Sequence, residues 1–181
     1  MKNSPMLKVI LRLVGLIGIL ILSAFWYAQE RYSNEALLDR YALDVEPEWI
    51  KSKCSSKEVL DACNAFASGN YQQVVDLTLD VLPDNTDFIY SEYLSGQAYL
   101  KTERPSNAIL AFESVNGFGK SEMQDKAKWM LAISYLRRGR MEEGRALIQE
   151  YTQDNSFEYQ QSAIQILDDL ESVWRKLPLL K

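Results

Sequence analysis

Histidine is absent from all 181 residues, and with it go the usual general base near neutral pH and the commonest nitrogen ligand for zinc, copper or iron. Only two cysteines occur, Cys54 and Cys63, too few for a four-ligand thiolate zinc site unless carboxylates or another chain complete it. Their C-x8-C spacing is not the C-x-x-C of a thiol oxidoreductase. Glycine and proline are scarce, at 8 and 5, while strong helix formers are plentiful, so an all-α chain is expected rather than a β fold. No glycine-rich phosphate loop, serine elbow or metal-ligand spacing occurs. The paired acids Glu142-Glu143 and Asp168-Asp169 are neighbours, which a helix points about 100° apart, so they read as solvated charges and not as an acid and base pair. The reading is not an enzyme, with no cofactor and no metal.

Charge is uneven. The first 28 residues contain Lys2, Lys8 and Arg12 and no acid, so the remainder carries 17 of the 20 basic residues and all 25 acidic ones, a balance of −8. An acidic body does not provide the basic face that displaces counterions from phosphates, which sets nucleic acid aside as a partner.

The one long apolar run is Val9 to Ala28, VILRLVGLIGILILSAFWYA, about the 20 residues that a helix rising ~1.5 Å each needs to cross a ~30 Å hydrocarbon core. Arg12 can snorkel at one end, and Phe25, Trp26 and Tyr27 form an aromatic belt at the other. A cleaved secretory signal has the same outline, but Phe25 stands where an A-x-A site wants a small residue before Ala28. We therefore read residues 1–8 as a cytoplasmic tail and 9–28 as a transmembrane helix. The positive end stays inside, placing the rest across the membrane. Absence of a usable N-x-[ST] acceptor favours a bacterium, hence the inner membrane with a periplasmic domain.

Residues 29–56 read as a juxtamembrane spacer. Ala36, Leu37, Tyr41 and Leu43 make a short apolar stripe, Pro47 interrupts helix at Glu46, and Trp49 and Ile50 are expected to tuck into the first repeat. Ser55 and Glu58 have capping-box spacing and mark a helix start. In an oxidising compartment Cys54 and Cys63 could bridge if the chain before the helix folds back along it; alternatively Cys63 is a small buried residue and Cys54 a free thiol.

Beyond the spacer a period emerges. Ala62, Gly96 and Ala132 are 34 and 36 residues apart, and Ala65, Tyr99 and Tyr135 keep those intervals. So do Val74, Ala108 and Gly144, and Val81, Val115 and Tyr151. Such a period indicates helix pairs stacked in a solenoid. Residues 57–154 hold three pairs, at about 57–82, 87–115 and 125–151, with turns at Gly69-Asn70, Lys101 to Arg104 and Gly139. The stretch VNGFGKSEMQDK carries two extra residues and reads as a longer connector, either a hinge or a plain surface loop. Phe157 to Trp174, within 155–175, places Ile164, Leu167, Leu170 and Trp174 on one stripe, as a capping helix would.

SGQAYL, LAISYL and SNAILAF carry the small and aromatic positions by which these pairs resemble the tetratricopeptide repeat (TPR) family, and the whole is similar to single-span membrane-anchored TPR proteins of the bacterial envelope. Repeat one departs from the pattern, with Val74 and Thr78 where the family prefers alanine and an aromatic. The resemblance implies an all-α chain: an N-terminal transmembrane helix, then a short TPR-like α-solenoid of three helix pairs plus a C-terminal capping helix. It also implies a protein-binding groove lined by the first helix of each pair. Carried over repeat by repeat, the groove positions are Cys63 and Phe66; Tyr90, Tyr93, Gln97 and Lys101; and Lys126, Trp129, Ile133 and Arg137. Tyrosine, tryptophan and arginine dominate interface energetics, although aromatics at helical spacing are equally at home in a core. The expected function is a membrane-anchored interaction scaffold or accessory subunit of an envelope membrane complex, with a protein partner. The alternative is a membrane-bound regulator transmitting an envelope signal, which the short tail Met1 to Lys8 serves poorly.

Overall fold

The computed structural model describes residues 5–118, 121–153 and 159–172, and all regular structure among them is helical. Helix α1, Pro5–Tyr32, contains a stretch of mean hydropathy 2.4, Lys8–Glu30, that is long and apolar enough to cross a membrane. The rest of the fold leaves it uncovered: Leu11, Ile19, Leu20 and Leu22 are each more than 60% exposed. Ser33 breaks the helix, and α2, Asn34–Tyr41, follows at once. Residues 42–46 have no regular secondary structure, and Pro47 then starts the short α3, Pro47–Lys53, from its first turn, where a missing amide hydrogen costs little.

Next come α4 (Lys57–Ala67), α5 (Tyr71–Thr78), α6 (Phe88–Lys101), α7 (Pro105–Gly117), α8 (Glu122–Arg138), α9 (Met141–Thr152) and α10 (Gln160–Glu171). Each packs on its neighbour in sequence, and α6 also touches both α4 and α8. Three turns share one geometry. Gly69, Glu103 and Gly139, again 34 and 36 residues apart, all have positive φ, at 74°, 58° and 84°. In each, the next amide donates back into the preceding helix: Asn70 to Ala65, Arg104 to Tyr99 and Arg140 to Tyr135, at 2.8 to 2.9 Å. This left-handed closure satisfies helix-end carbonyls, and it is the backbone reason that the pairs in this chain turn alike.

The recurring side chains point inward. Ala62, Gly96, Ala132, Val74, Ala108, Gly144, Val81, Val115 and Tyr151 are all buried, as are Ala65 and Tyr135; Tyr99 is half-buried beneath the Arg104 guanidinium. A Cβ at Gly96 would lie 2.6 Å from the ring of Phe112, so α6 and α7 approach through that glycine. A Cβ on Gly144 would lie 2.7 Å from Leu136 and 3.0 Å from the Ala132 carbonyl, so glycine at that helical position is required by packing. The departure in repeat one is resolved by a hydroxyl pair: Thr78, 2% exposed, sits 2.7 Å from Ser95 of α6 and also donates to the Val74 carbonyl.

Several expectations shift. The cap of α4 is Ser56, not Ser55; its hydroxyl accepts weakly from Val59 at 3.4 Å and donates to Glu58 at 2.7 Å. Asp87 takes over the preceding amides, accepting from both Ser55 and Ser56 at 2.6 Å, which ties the entrance of the first pair to that of the second. The extra residues between repeats two and three lengthen helices: α7 runs to Gly117 and α8 begins at Glu122, with Met123 1% exposed. On α10 the buried stripe is Ala163, Ile166 and Leu170, with Leu167 half-buried and Ile164 40% exposed, because α10 packs against α2 as well as α9. Phe157 and Trp174, and the side chains of Ala36 and Leu37, lie outside the described residues.

Candidate functional site

The face shared by α6 and α8, where the resemblance puts a binding groove, is covered by this chain's own residues 40–50. Trp129 on α8 donates its indole N–H to the Tyr41 carbonyl at 2.8 Å. Gln97 on α6 donates its amide to the Leu43 carbonyl at 3.3 Å and to the Tyr93 hydroxyl at 3.0 Å. The Leu43 amide itself lies 3.2 Å from the Met130 sulfur. A backbone that leaves a helix without entering a sheet must place its amides and carbonyls somewhere, and here side chains of two helices take them.

The ends of this strap are fixed differently. At one end Asp169 of α10 receives both the Arg40 guanidinium, at 2.6 Å, and the Tyr41 hydroxyl, at 2.8 Å. Burial, and then the bond to Asp169, raise the Tyr41 hydroxyl above its ordinary range. At the other end Ile50 is 1% exposed, and Trp49 meets Tyr90 edge-on with ring centroids 6.2 Å apart. The Lys126 ammonium lies over the Trp49 ring at 4.7 Å. Trp49 and Ile50 thus do tuck into the helical array, but the spacer as a whole reaches past the first pair to α6, α8 and α10.

The expected groove residues divide accordingly. Tyr93, Gln97, Trp129 and Ile133 are buried, and all but Ile133 have named roles: Trp129 stacks on Tyr159 at 5.6 Å and meets Tyr151 edge-on, and Tyr93 does the same with Phe112 at 5.8 Å. Burial drives the Tyr93 hydroxyl well above its ordinary range. Tyr90 and Lys126 are half-buried against Trp49. Phe66, half-buried, packs edge-on with Tyr71 at 5.2 Å and so ties α4 to α5. Only Lys101 and Arg137 keep an opening, a cavity of about 250 Å³ beside Asp39, Asp44, Glu103 and the Gln97 amide. Its walls carry both signs of charge. It can hold a short polar segment of a peptide by hydrogen bonds and ion pairs, and it contains no nucleophile paired with a base.

Cys54 and Cys63 are free thiols. Cys54, half-buried, is pushed up to about 12 by burial with Asp87 adding to it, and burial pushes Cys63, fully enclosed, to about 11. Neither supplies a thiolate near neutral pH.

Tyr41, Leu43, Met130 and Asp169 escape a reading of the sequence by repeats, since three of the four are outside the first-helix positions and none stands in a motif. The available signal was the polar, proline-containing connector DVEPEW, whose backbone had no evident partner.

No family model matches this chain, and neither does any curated protein or solved structure.

Proposed function

We propose that this chain is a single-pass membrane scaffold or accessory subunit of a bacterial envelope complex, built as a TPR-like array of three helix pairs with a capping helix. Its N-terminus is cytoplasmic and its repeats are periplasmic. Support for the anchor comes from α1, whose exposed leucines and isoleucines would be costly in water. The observation that carries the binding function is the strap: Gln97, Trp129 and Met130 hold the main chain of Tyr41 and Leu43, where the chain leaves α2. A face that reads peptide backbone in this way is suited to recognising protein, and the opening at Lys101 and Arg137 is the part of it left for a partner.

The test places a photoreactive residue at Lys101 or Arg137 of the full chain in native membranes, with the same residue at Trp129 for comparison. Adducts to a second protein from positions 101 and 137, with position 129 reacting with this chain's own residues near Tyr41, are the expected result. Adducts confined to this chain or to lipid at all three positions would remove the scaffold reading.

A second reading, a regulator transmitting an envelope signal, is favoured by continuity: only Ser33 separates the membrane-type helix from the helix that leads into the groove. It requires the strap to leave the groove when a ligand arrives. A disulfide engineered between Leu43 and Met130 by cysteine substitution should then abolish signalling without affecting insertion; unchanged signalling would dismiss this reading.

A further inference from the structure

With the α6 and α8 face covered by the strap, exposed apolar side chains remain elsewhere on the array. Outside α1, the most exposed large apolar side chains among the described residues are Leu79 at 68%, Leu110 at 64% and Leu82 at 62%. Leu79, at the end of α5, and Leu110, on α7, are the two apolar rims of one groove of about 190 Å³. Its floor is supplied by α6, with Ser95, Tyr99 and Glu92. Leu110 also borders the next groove along, beside Ile109 and Glu113. Leucines standing this far out on two neighbouring helices are not shielding the core, because Val74, Val75, Ala108 and Phe112 of the same helices already fill it.

The stretch of chain that supplies α5 and α6 to this groove is acidic. From Glu58 to Leu100 the chain has seven acidic residues, Glu58, Asp61, Asp76, Asp80, Asp84, Asp87 and Glu92, and no lysine or arginine. Asp76 and Asp80 flank Leu79 on either side in sequence and are exposed. Glu92 is half-buried between the rims, where burial raises its carboxyl and a hydrogen bond from Ser114 partly opposes that. Arg104, over the groove residue Tyr99 at 5.1 Å, is also committed to Gln72 at 2.9 Å. Arg138 and Arg140, by the adjoining groove, are held by Ser106 and Glu143. A desolvated carboxylate between two leucines is complemented by a side chain with an apolar stem and a cationic head.

We infer that the groove between α5 and α7, rimmed by Leu79 and Leu110 and floored at Glu92, docks a basic amphipathic segment of a partner protein. A lysine or arginine of that segment passes between the two leucines to Glu92, and apolar residues one helical turn away cover Leu79, Leu110 and Leu82. The exposed Asp76 and Asp80 steer the approach and make it sensitive to salt. This inference rests on the reading of the chain as a protein-binding scaffold, but it places the partner on a surface remote in composition from the strap and does not require the strap to move.

The test uses the full chain in zwitterionic lipid nanodiscs and three fluorescent 18-residue helical peptides of identical leucine positions, whose polar positions are lysine, glutamine or glutamate. Anisotropy is measured with the wild type, Leu110→Ser, Glu92→Gln and empty nanodiscs. The lysine peptide should bind the wild type at least ~10-fold more tightly than either other peptide, and should lose ~10-fold or more on Leu110→Ser and on Glu92→Gln, as expected when a central anchor is truncated. Circular dichroism and the unfolding midpoint of each variant establish that it is folded. Equal binding of the lysine and glutamine peptides, or binding unchanged in both folded variants, overturns the assignment. So does lysine-peptide binding no stronger than to empty nanodiscs, which would make lipid the occupant. A fall in molar mass of the wild-type particle on Leu110→Ser would instead make a second copy the occupant, and also overturns it. The scaffold reading is tested separately by crosslinking at Lys101 and Arg137, so either can fail alone.

Discussion

Replacing Gly96 with alanine is expected to destabilise the folded chain, although the same change in an exposed helix would stabilise it. Glycine in a helix interior costs about 0.5–1 kcal/mol relative to alanine, so propensity alone predicts a gain. Packing opposes it. The added methyl would stand 2.6 Å from one Phe112 ring atom, with two more ring atoms within 2.9 Å. The ring has nowhere to go: Phe112 is 0% exposed and is met edge-on by Tyr93 at 5.8 Å. Relief therefore requires α6 and α7 to separate by several tenths of an ångström, in the range of overpacking changes that cost about 1–3 kcal/mol. The net loss is roughly 1–2 kcal/mol after the propensity gain is subtracted. For a chain of this size it lowers the thermal midpoint by about 2–4 °C per kcal/mol. The assay is guanidinium unfolding of the detergent-solubilised full chain, followed by tryptophan fluorescence, which Trp129 reports from the core. Phe112→Leu in the Gly96→Ala background should recover part of the loss, and the double-mutant cycle should return a coupling outside the ~0.3–0.5 kcal/mol within which independent sites add. A Gly96→Ala protein more stable than the wild type, or strict additivity with Phe112→Leu, would refute the close-approach argument.

Glu103 is the non-glycine member of the three left-handed turns, at φ 58°, so Glu103→Gly should raise stability by roughly 0.5–1 kcal/mol in the same unfolding assay. Glu92 has a carboxyl raised by burial, so the native state holds that proton more tightly than the unfolded chain; its contribution is complete below the ordinary carboxyl range and is lost as pH rises through the raised value. Stability of Glu92→Gln, measured by unfolding midpoints across mildly acidic pH, should decline less over that window than stability of the wild type. With Cys54 near 12 and Cys63 near 11, alkylation by iodoacetamide at pH 8 should be slower than that of an unfolded control by about two orders of magnitude or more. Stoichiometric labelling of the native protein at the unfolded rate would show that the two thiols are not enclosed.

The readable parts of the fold were those in which a residue's role is decided by its neighbours within a turn or two. Ala62, Gly96 and Ala132 recur because each pair must bring its helices together at that point, and Gly69 and Gly139 recur because a left-handed turn favours glycine. Glu103 occupies the same turn without its usual residue; the sequence marked only the stretch Lys101 to Arg104, and the positive φ of Glu103 comes from the structure. The candidate site was half legible. Types and positions selected Tyr93, Gln97, Trp129, Lys101 and Arg137 on the first helices, but aromatic and amide side chains serve a groove and a core by the same chemistry. Deciding between them needed the strap, whose contacts link Tyr41 to Asp169 and Leu43 to Met130 across 128 and 87 residues.

Sequence alone determined that this chain has one long apolar helix, an acidic body, no histidine chemistry and helix pairs of 34 to 36 residues. These are properties of composition and period, which local packing and the length of a membrane span translate directly into structure. Tertiary structure decided which face of the pairs is occupied and which is open. Periodicity records only that a helix face is apolar; what covers it depends on where distant segments lie, and here the spacer covers one face while Leu79, Leu82 and Leu110 stay more than 60% exposed elsewhere on the array.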